Sequence, residues 1–432
     1  MRHTRAIQRD RRLHPTTQAP DELVQARLEE LIHPATYAQL ATYQAMGLRQ
    51  RVLTLPVMVA FVLSLIWRHL GSVREAVRVL RQEGVLWVTP QQVSQQAVSE
   101  RLRTFPAVLF ERVLQEVLPQ MQARALARTR PLPPVLAWTK PHFSRIVAVD
   151  GSTLDALLRK VGLLRGQEGP VLAGHLGVLF DVVTRVPQAV WYEEESQASD
   201  HRFWDRIQAS VEPGMLVLCD LGFRQYAQFT ALAERGVGLL TRVASNAALC
   251  PIRSLSHDPT LRDQLVWLGQ GKTRCPMPVR LVEWRHPQGN WYRYLTTITD
   301  PQVLPAAYVV ALYGERWRIE EAFHVVKRLL GLAYFWVGSI NGVQVQVWAT
   351  WLLYTVLVDL TDAVAQELGL PLASLSLELV YRGLYHFAHA SHRGEAEDPV
   401  RYLATNAKAL DLIKQPRKNR QSLSDLLHLT GP

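Results

Sequence analysis

Residues 313–327, YGERWRIEEAFHVVK, form the stretch that decides the fold and the chemistry of this chain. Glycine and proline are absent after Gly314 and apolar side chains recur at helical spacing, which predicts one amphipathic helix. At about 100° per residue, one side of this helix is a core stripe of Leu312, Ile319, Phe323, Val326 and Leu330. Beside it, within roughly 60° of arc, is a polar line of Tyr313, Arg316, Glu320 and Lys327. A carboxylate flanked by two cations and a phenol indicates a functional surface, while a solvated face of mixed charge is the alternative.

Length and composition describe a globular protein with a polyanionic partner. A chain of 432 residues is long enough for two or three domains, and 48% hydrophobic residues suit a folded core. The formal net charge of +10 favours nucleic acid over a membrane surface as the partner. The three cysteines lack metal-ligand spacing, which suits a reducing cytosol. The longest apolar run, residues 52–67, contains Pro56 and is shorter than the roughly 18 residues of a membrane span, so we predict a buried helix.

The N-terminal part of the chain carries cations and helices suited to DNA. Residues 1–20 form a basic arm able to track phosphates, although a merely soluble tail fits equally well. Residues 21–123 are predicted to be a helical DNA-binding region, followed by a basic linker at 124–140. Residues 72–103 resemble a helix-turn-helix whose second helix exposes polar side chains to base edges: Gln91, Gln92, Ser94, Gln95, Gln96 and Arg101. A plain helical bundle without base contacts is the alternative.

From residue 141 the pattern changes to strands alternating with helices. Strands are predicted at 145–150, 175–183, 186–191, 214–220 and 237–241, with helices at 200–210 and 226–235. This order gives an α/β unit with a mixed sheet over residues 141–242.

Residues 243–300 break that rhythm. They contain strand-like pieces at 278–284 and 291–299, with cations interleaved among Trp267, Trp284 and Trp291. We predict an inserted β-rich subdomain that faces nucleic acid. The core resumes at residues 301–335, which carry the polar line, and a helical C-terminal region follows at 336–432.

Two predicted strands of the sheet end in aspartate, Asp150 and Asp220. Functional loops gather at the carboxyl ends of strands in α/β sheets. A lone aspartate in that place is usually a turn cap, but two of them with Glu320 form a cluster whose repulsion a hard cation would relieve. Oxygen ligands favour Mg²⁺ or Mn²⁺ over Zn²⁺, and two such ions would suit cleavage of a phosphodiester.

These motifs resemble one known family. The spacing Tyr313-x2-Arg316-x3-Glu320-x6-Lys327 is similar to the Y-R-E-K signature of DDE-type transposases of bacterial insertion sequences, in the hairpin-forming, IS-four-type branch. VAVDGST around Asp150 and VLCDLGF around Asp220 resemble the first two acidic motifs of that family. The resemblance implies a ribonuclease H-like catalytic core with a β-rich insertion, flanked by helical N- and C-terminal regions.

The resemblance also implies roles for individual residues. Asp150, Asp220 and Glu320 would form the catalytic triad and hold two Mg²⁺ or Mn²⁺ ions. Phosphates of the transposon end would be held by Tyr313, Arg316 and Lys327. Either Trp291 or Tyr292 would stack on a base flipped out of a hairpin, and Arg242 would contact the DNA backbone.

The implied activity is metal-dependent cleavage of double-stranded DNA at terminal inverted repeats, followed by strand transfer into target DNA through a hairpin. The implied assembly is a homodimer in the synaptic complex, in the bacterial cytoplasm at the nucleoid and without a membrane partner. A structure-specific nuclease on the same core, or a domesticated DNA-binding protein without activity, are the alternatives. A haloacid-dehalogenase-type phosphatase is excluded because such an enzyme needs a second aspartate at the position of Ser152. Residues 271–273, Gly-Lys-Thr, suggest a P-loop, but that motif needs a glycine five residues before Gly271, where this chain has Val266.

Overall fold

The computed structural model describes residues 22–48, 51–154, 174–195, 198–220, 223, 226–243, 246–271, 274–287, 289–332, 335–336 and 338–415. The predicted basic arm at residues 1–20 lies outside this part of the chain. Two compact units are present. Of the described residues, those within 22–131, residue 154 and those within 324–414 form the helical unit, and those within 132–153 and 174–323, with residue 415, form the sheet unit.

The first part of the helical unit is a run of six helices. They are α1 (Glu22–Ala38), α2 (Leu40–Ala45), α3 (Leu55–Trp67), α4 (Val73–Gln82), α5 (Gln95–Thr104) and α6 (Ala107–Ala127). The predicted buried helix in the apolar run is confirmed as α3, since Met58 to Trp67 are all buried. Apolar burial on this scale is what holds a helix bundle together.

The helix-turn-helix expectation is wrong in its geometry. Residues 83–94 separate α4 from α5, far more than the three- or four-residue turn of that motif. The second helix begins at Gln95 rather than Gln91, because the Ser94 side chain accepts a hydrogen bond from the backbone N–H of Ala97 and caps it. Arg101 was also predicted to be exposed to base edges. Its guanidinium instead donates hydrogen bonds to the Leu53 carbonyl and the Tyr43 hydroxyl.

The sheet unit opens with α7 (Pro134–Thr139) and contains the predicted α/β order. Its elements up to residue 242 are β1 (Ile146–Thr153), β2 (His175–Asp181), β3 (Pro187–Glu193), a 3₁₀ turn (Asp200–Phe203), α8 (Trp204–Ser210), β4 (Leu216–Cys219), α9 (Tyr226–Glu234) and β5 (Gly238–Arg242). The strands β1, β4 and β5 pair in parallel, and β2 and β3 add antiparallel strands beside β1. All five predicted strands and both helices are confirmed, with bounds shifted by a few residues.

The β-rich insertion extends this sheet and does not form a separate subdomain. It contains β6 (Leu249–His257), β7 (Leu261–Leu268), β8 (Val279–Arg285) and β9 (Trp291–Thr296). β9 pairs with β5, which gives one nine-stranded sheet of order β3-β2-β1-β4-β5-β9-β8-β7-β6. The sequence did not predict β6 and β7, where proline, serine and charged residues interrupt the alternation and the register shifts twice.

Alternation along the strands gives the sheet two different faces. Val149 and Cys219 belong to a core cluster that also includes Ile207 of α8 and Phe229 of α9. Because successive side chains point to opposite faces, the neighbouring Asp150 lies on the other face. That face is contacted by α10 (Ala306–Glu315), which packs on β5, β7, β8 and β9.

The stretch that opened the sequence analysis is not one regular helix. It runs from α10 through a turn at Arg316 into α11 (Trp317–His324) and a π-helical segment (Val325–Leu329). Hydrogen bonds between residues three apart, Arg316 to Tyr313 and Ile319 to Arg316, tighten the backbone at that turn. The predicted core stripe is nevertheless confirmed, because all five of its side chains are buried.

The helical unit ends with α12 (Ile340–Glu367), a 3₁₀ turn (Leu372–Ser374), α13 (Leu377–His392) and α14 (Pro399–Thr405). Among the residues that the structure describes, only α12 is long and apolar enough to cross a membrane, but 94% of its most apolar window is buried inside the protein. Its buried Asp359 is paired with Arg27 at 2.5 Å and Arg128 at 2.5 Å. The burial of α12 and the ion pairs of Asp359 indicate that α12 is a core helix of the helical unit.

Candidate active site

Strand register places the two aspartates side by side. β1 and β4 pair in parallel with Val149 opposite Cys219, so the next residues along are Asp150 and Asp220. The sequence predicted that the first strand ends at Asp150. In the structure β1 continues to Thr153 through its pairing with β2, so that prediction is wrong. The same register on the other side of β4 sets Arg242 beside Asp220.

The polar line of α10 and α11 reaches both aspartates. Arg316 is 5% exposed, and its Nη1 lies 3.1 Å from Asp150 Oδ2 while its Nη2 lies 2.7 Å from Glu320 Oε1. The Tyr313 hydroxyl donates to Asp220 Oδ1 at 3.4 Å. The structure therefore brings together Asp150, Asp220, Glu320, Tyr313 and Arg316 on one face of the sheet.

Burial dominates the electrostatics of Asp150. It raises the pKa of this carboxyl to about 6, an effect that Arg316 and the Gly151 N–H oppose and that the charges of Glu320 and Asp200 reinforce. Burial therefore makes ionisation of the Asp150 carboxyl less favourable than in water, and a nearby cation would stabilise the ionised form.

The residue types at this site suit a hard divalent cation. Three carboxylates supply the oxygen ligands that Mg²⁺ and Mn²⁺ prefer. In this conformation, no three His, Cys, Asp or Glu side chains in the described part of the chain lie close enough together to hold a metal ion. The Arg316 guanidinium instead bridges Asp150 and Glu320, and supplies the positive charge that this pair of carboxylates requires.

A fourth carboxylate near the site was missed by sequence reasoning. Asp200 Oδ1 lies 2.8 Å from His175 Nε2, and His175 Nδ1 lies 3.2 Å from the Thr153 hydroxyl. The His175 ring also stacks on Phe203. In the sequence Asp200 follows Ser199 at the start of a predicted helix, where it looks like an ordinary helix-capping acid, so nothing there indicated its place beside Asp150.

We expect Gly151→Ala to slow catalysis at this site by about 10- to 100-fold, because small displacements of reacting groups have effects of that size. A Cβ at this position would lie 1.9 Å from Asp200 Oδ1 and 2.6 Å from His175 Nε2, so the pair beside Asp150 would have to move. The measurement is the rate of the metal-dependent DNA cleavage that the sequence resemblance implies. Gly71→Ala is the matched control, since its Cβ would meet no atom within 4 Å. Equal rates for Gly151→Ala and wild type would contradict the expectation.

The other predicted DNA contacts divide between two faces of β9. The Arg242 guanidinium lies over the Tyr292 ring, 5.5 Å from the ring centre, and the same ring stacks on Trp284. It shares its face with Tyr294, whose ring is 5.1 Å from that of Tyr313. Trp291 points to the opposite face, is 37% exposed and contacts Arg262. Lys327 lies in the π-helical segment, within the helical unit, and is half-buried.

Comparison with known proteins identifies the family. The family described as the transposase DDE domain matches residues 141–356, half of the chain. A protein of Sinorhizobium fredii named "Putative transposase y4zB" is 28% identical over 160 residues, covering 34% of this chain and 43% of that protein, so the match spans less than half of the relative's length. The cryo-EM structure of a piggyBac transposase synaptic complex with hairpin DNA is 11% identical, with a TM-score of 0.39 over 94% of this chain and 86% of that one. The family match over half of the sequence establishes that the chain belongs to the transposase DDE domain family.

Proposed function

We propose that this protein is a transposase of the IS-four type that cuts double-stranded DNA at the terminal inverted repeats of its element and joins the ends to target DNA. The observation that carries the proposal is the convergence of three carboxylates from distant parts of the sequence. Parallel register aligns Asp150 with Asp220, and Arg316 links Asp150 to Glu320. Three acids on three elements, with a buried arginine between two of them, are more than turn caps or a solvated face would require.

The catalytic core is proposed to be ribonuclease H-like, with the insertion between Asp220 and Glu320. The order of elements supports this, because three antiparallel strands lead into two parallel ones and α10–α11 then return to the acidic face. Asp150, Asp220 and Glu320 would hold two Mg²⁺ or Mn²⁺ ions. When bound, such ions activate a water or 3′-hydroxyl and stabilise the leaving oxygen of the phosphodiester.

The chain's own residues would orient the carboxylates and the DNA. Arg316 and Tyr313 hold the acids by direct hydrogen bonds, so they would fix the carboxylate rotamers as well as contact phosphates of the transposon end. Arg242, exposed at the end of β5, and Lys327 would contact the DNA backbone. Synapsis of two transposon ends would need a homodimer, acting in the bacterial cytoplasm at the nucleoid.

The test uses DNA that flanks the coding region as substrate, with Mg²⁺ and a second duplex as target. We expect cleavage at the element's ends, a hairpin intermediate and joined products. Hydrolysis without strand transfer would favour a structure-specific nuclease on the same core. DNA binding without any cleavage would favour a domesticated DNA-binding protein.

Tyr292 is the stronger candidate for the residue that stacks on a flipped base, because it shares the face of the acids while Trp291 points away. Stacking contributes about 1–3 kcal/mol per base, so we expect Tyr292→Ala to slow hairpin formation by roughly 5- to 150-fold, with the first nick little changed. The measurement is the ratio of hairpin to nicked product over time. Tyr292→Phe keeps the ring and should keep the ratio. A larger loss for Trp291→Ala than for Tyr292→Ala would reverse the assignment.

A further inference from the structure

A positively charged cleft lies in the helical unit, and none of the residues assigned to catalysis lines it. It has a volume of about 420 Å³ and runs between α4 and the start of α5. Three arginines and three glutamines line it: Arg74, Arg78, Arg81, Gln82, Gln92 and Gln95. No carboxylate lines the cleft, so its charge favours an anion.

The arginines form one line along α4. Their spacing of four and then three residues keeps them within about 60° of arc, over a length of roughly 10 Å. Arg74 is exposed and makes no hydrogen bond or ion pair with any residue in the described part of the chain. Arg78 pairs at 3.0 Å with Glu75, but both side chains are largely exposed, so this pair is weak and easily exchanged for a phosphate.

The third arginine fixes the shape of the cleft. Arg81 donates from Nε and Nη2 to the Val93 carbonyl, at 2.8 and 2.5 Å, which ties α4 to the residue just before the Ser94 cap of α5. The connection between the helices is also anchored at Trp87, whose Nε1 donates to the Pro56 carbonyl at 3.1 Å. The walls of the cleft are therefore held in place without a ligand, which lowers the entropic cost of binding one.

The form of the cleft favours a polyanion over a small ion or a lipid surface. Cations spread over roughly 10 Å match successive phosphates of one strand better than they match a single phosphate. A helix that binds a membrane surface presents large apolar side chains to it. All the large apolar side chains exposed in the described part of the chain lie outside α4 and α5.

We propose that the α4–α5 cleft grips the phosphodiester backbone of duplex DNA, with Arg74 and Arg78 contacting successive phosphates and Arg81 holding the walls. This inference rests on the proposed function, since it takes DNA as the substrate. It adds a DNA-binding surface that contains none of the proposed catalytic acids. Gln92 and Gln95, which also line the cleft, are exposed.

The test is the salt dependence of binding to a labelled duplex of random sequence, using the full chain. Each phosphate contact adds about 0.9 to the slope of log affinity against log salt concentration. We expect Arg74→Gln/Arg78→Gln to reduce that slope by about 2. Arg112→Gln/Arg393→Gln, which removes the same charge from exposed positions elsewhere in the helical unit, should leave the slope unchanged.

Equal slopes for the wild type and the Arg74/Arg78 variant would overturn the cleft assignment, and so would an equal loss in the control variant. Thermal melting of each variant verifies the fold, which these exposed substitutions should not disturb. A wild type that shows the expected slopes but does not cleave DNA with Mg²⁺ would contradict the proposed catalysis and leave the cleft assignment standing. Absence of DNA binding by the wild type would contradict both.

Discussion

Glu320→Gln is expected to lower the rate of metal-dependent DNA cleavage by at least about 10³-fold, the scale on which members of a cooperative catalytic set fail when removed singly. The amide keeps the shape of the side chain and can still accept a hydrogen bond from Arg316 Nη2, which lies 2.7 Å from Glu320 Oε1. It removes the negative charge that a divalent cation needs. Fold and DNA affinity should therefore persist while catalysis is lost.

The neighbouring Glu321→Gln is the matched control. It makes the same chemical change one residue along α11, at a side chain that faces Arg318 and Arg185 rather than the aspartates. We expect cleavage by this variant at the wild-type rate. Both variants should bind the same duplex equally, and isothermal titration with Mn²⁺ should show weaker binding only for Glu320→Gln. Cleavage by Glu320→Gln at the wild-type rate would remove Glu320 from the catalytic set and with it the proposed function.

The local parts of this site were predictable because they depend on short-range patterns. The β-branched run before Asp150 and the apolar run before Asp220 indicate buried strands by their composition and length. The core stripe of the opening stretch likewise requires only a helical period, and all its members are buried. Short-range patterns of this kind identify the elements and the faces that carry chemistry.

The relations between elements were not predictable from those patterns. The register that sets Asp150 beside Asp220 is fixed by pairing across 70 residues of sequence, and a slip of one residue would have put one aspartate on the opposite face. The position of Asp200 depends on a hydrogen bond to His175, 25 residues away. Long-range contacts of this kind leave no periodic trace in the sequence.

The bridging role of Arg316 also comes from tertiary packing. As a surface cation on a helix it would contact phosphates only, and the sequence predicts no more than that. In the structure it is buried, bridges Asp150 and Glu320, and stands at the turn between α10 and α11. A guanidinium satisfies two carboxylates at once because its donors form a planar fork. This geometry explains how Asp150 and Glu320 are held in place in the structure.

Arg280→Met should destabilise the sheet unit by about 3–5 kcal/mol, the usual result of removing one partner from a buried ion pair. Arg280 is fully buried, and its Nε and Nη2 lie 2.7 and 2.5 Å from the two carboxylate oxygens of Asp263. Without the guanidinium, Asp263 remains as an uncompensated buried charge. For a unit of this size the melting temperature should fall by roughly 6–20 °C, as measured by calorimetry on the full chain. Arg285→Met, at an exposed position of the same strand, should change it little.

The double variant Arg280→Met/Asp263→Leu separates the ion pair from a second role of Arg280. Replacing both partners by apolar residues removes the buried charge, so the melting temperature should recover most of the loss. Arg280 Nη1 also donates to the Leu304 carbonyl at 2.5 Å, just before α10, the helix that carries Tyr313 to Asp220. No methionine can make that bond, so we expect the double variant to regain stability and still cleave DNA more slowly than the wild type. A melting temperature of Arg280→Met equal to that of the wild type would refute the expected destabilisation. Full cleavage by the double variant would show that β8 does not position α10, since the Leu304 contact is the connection that the substitution cannot restore.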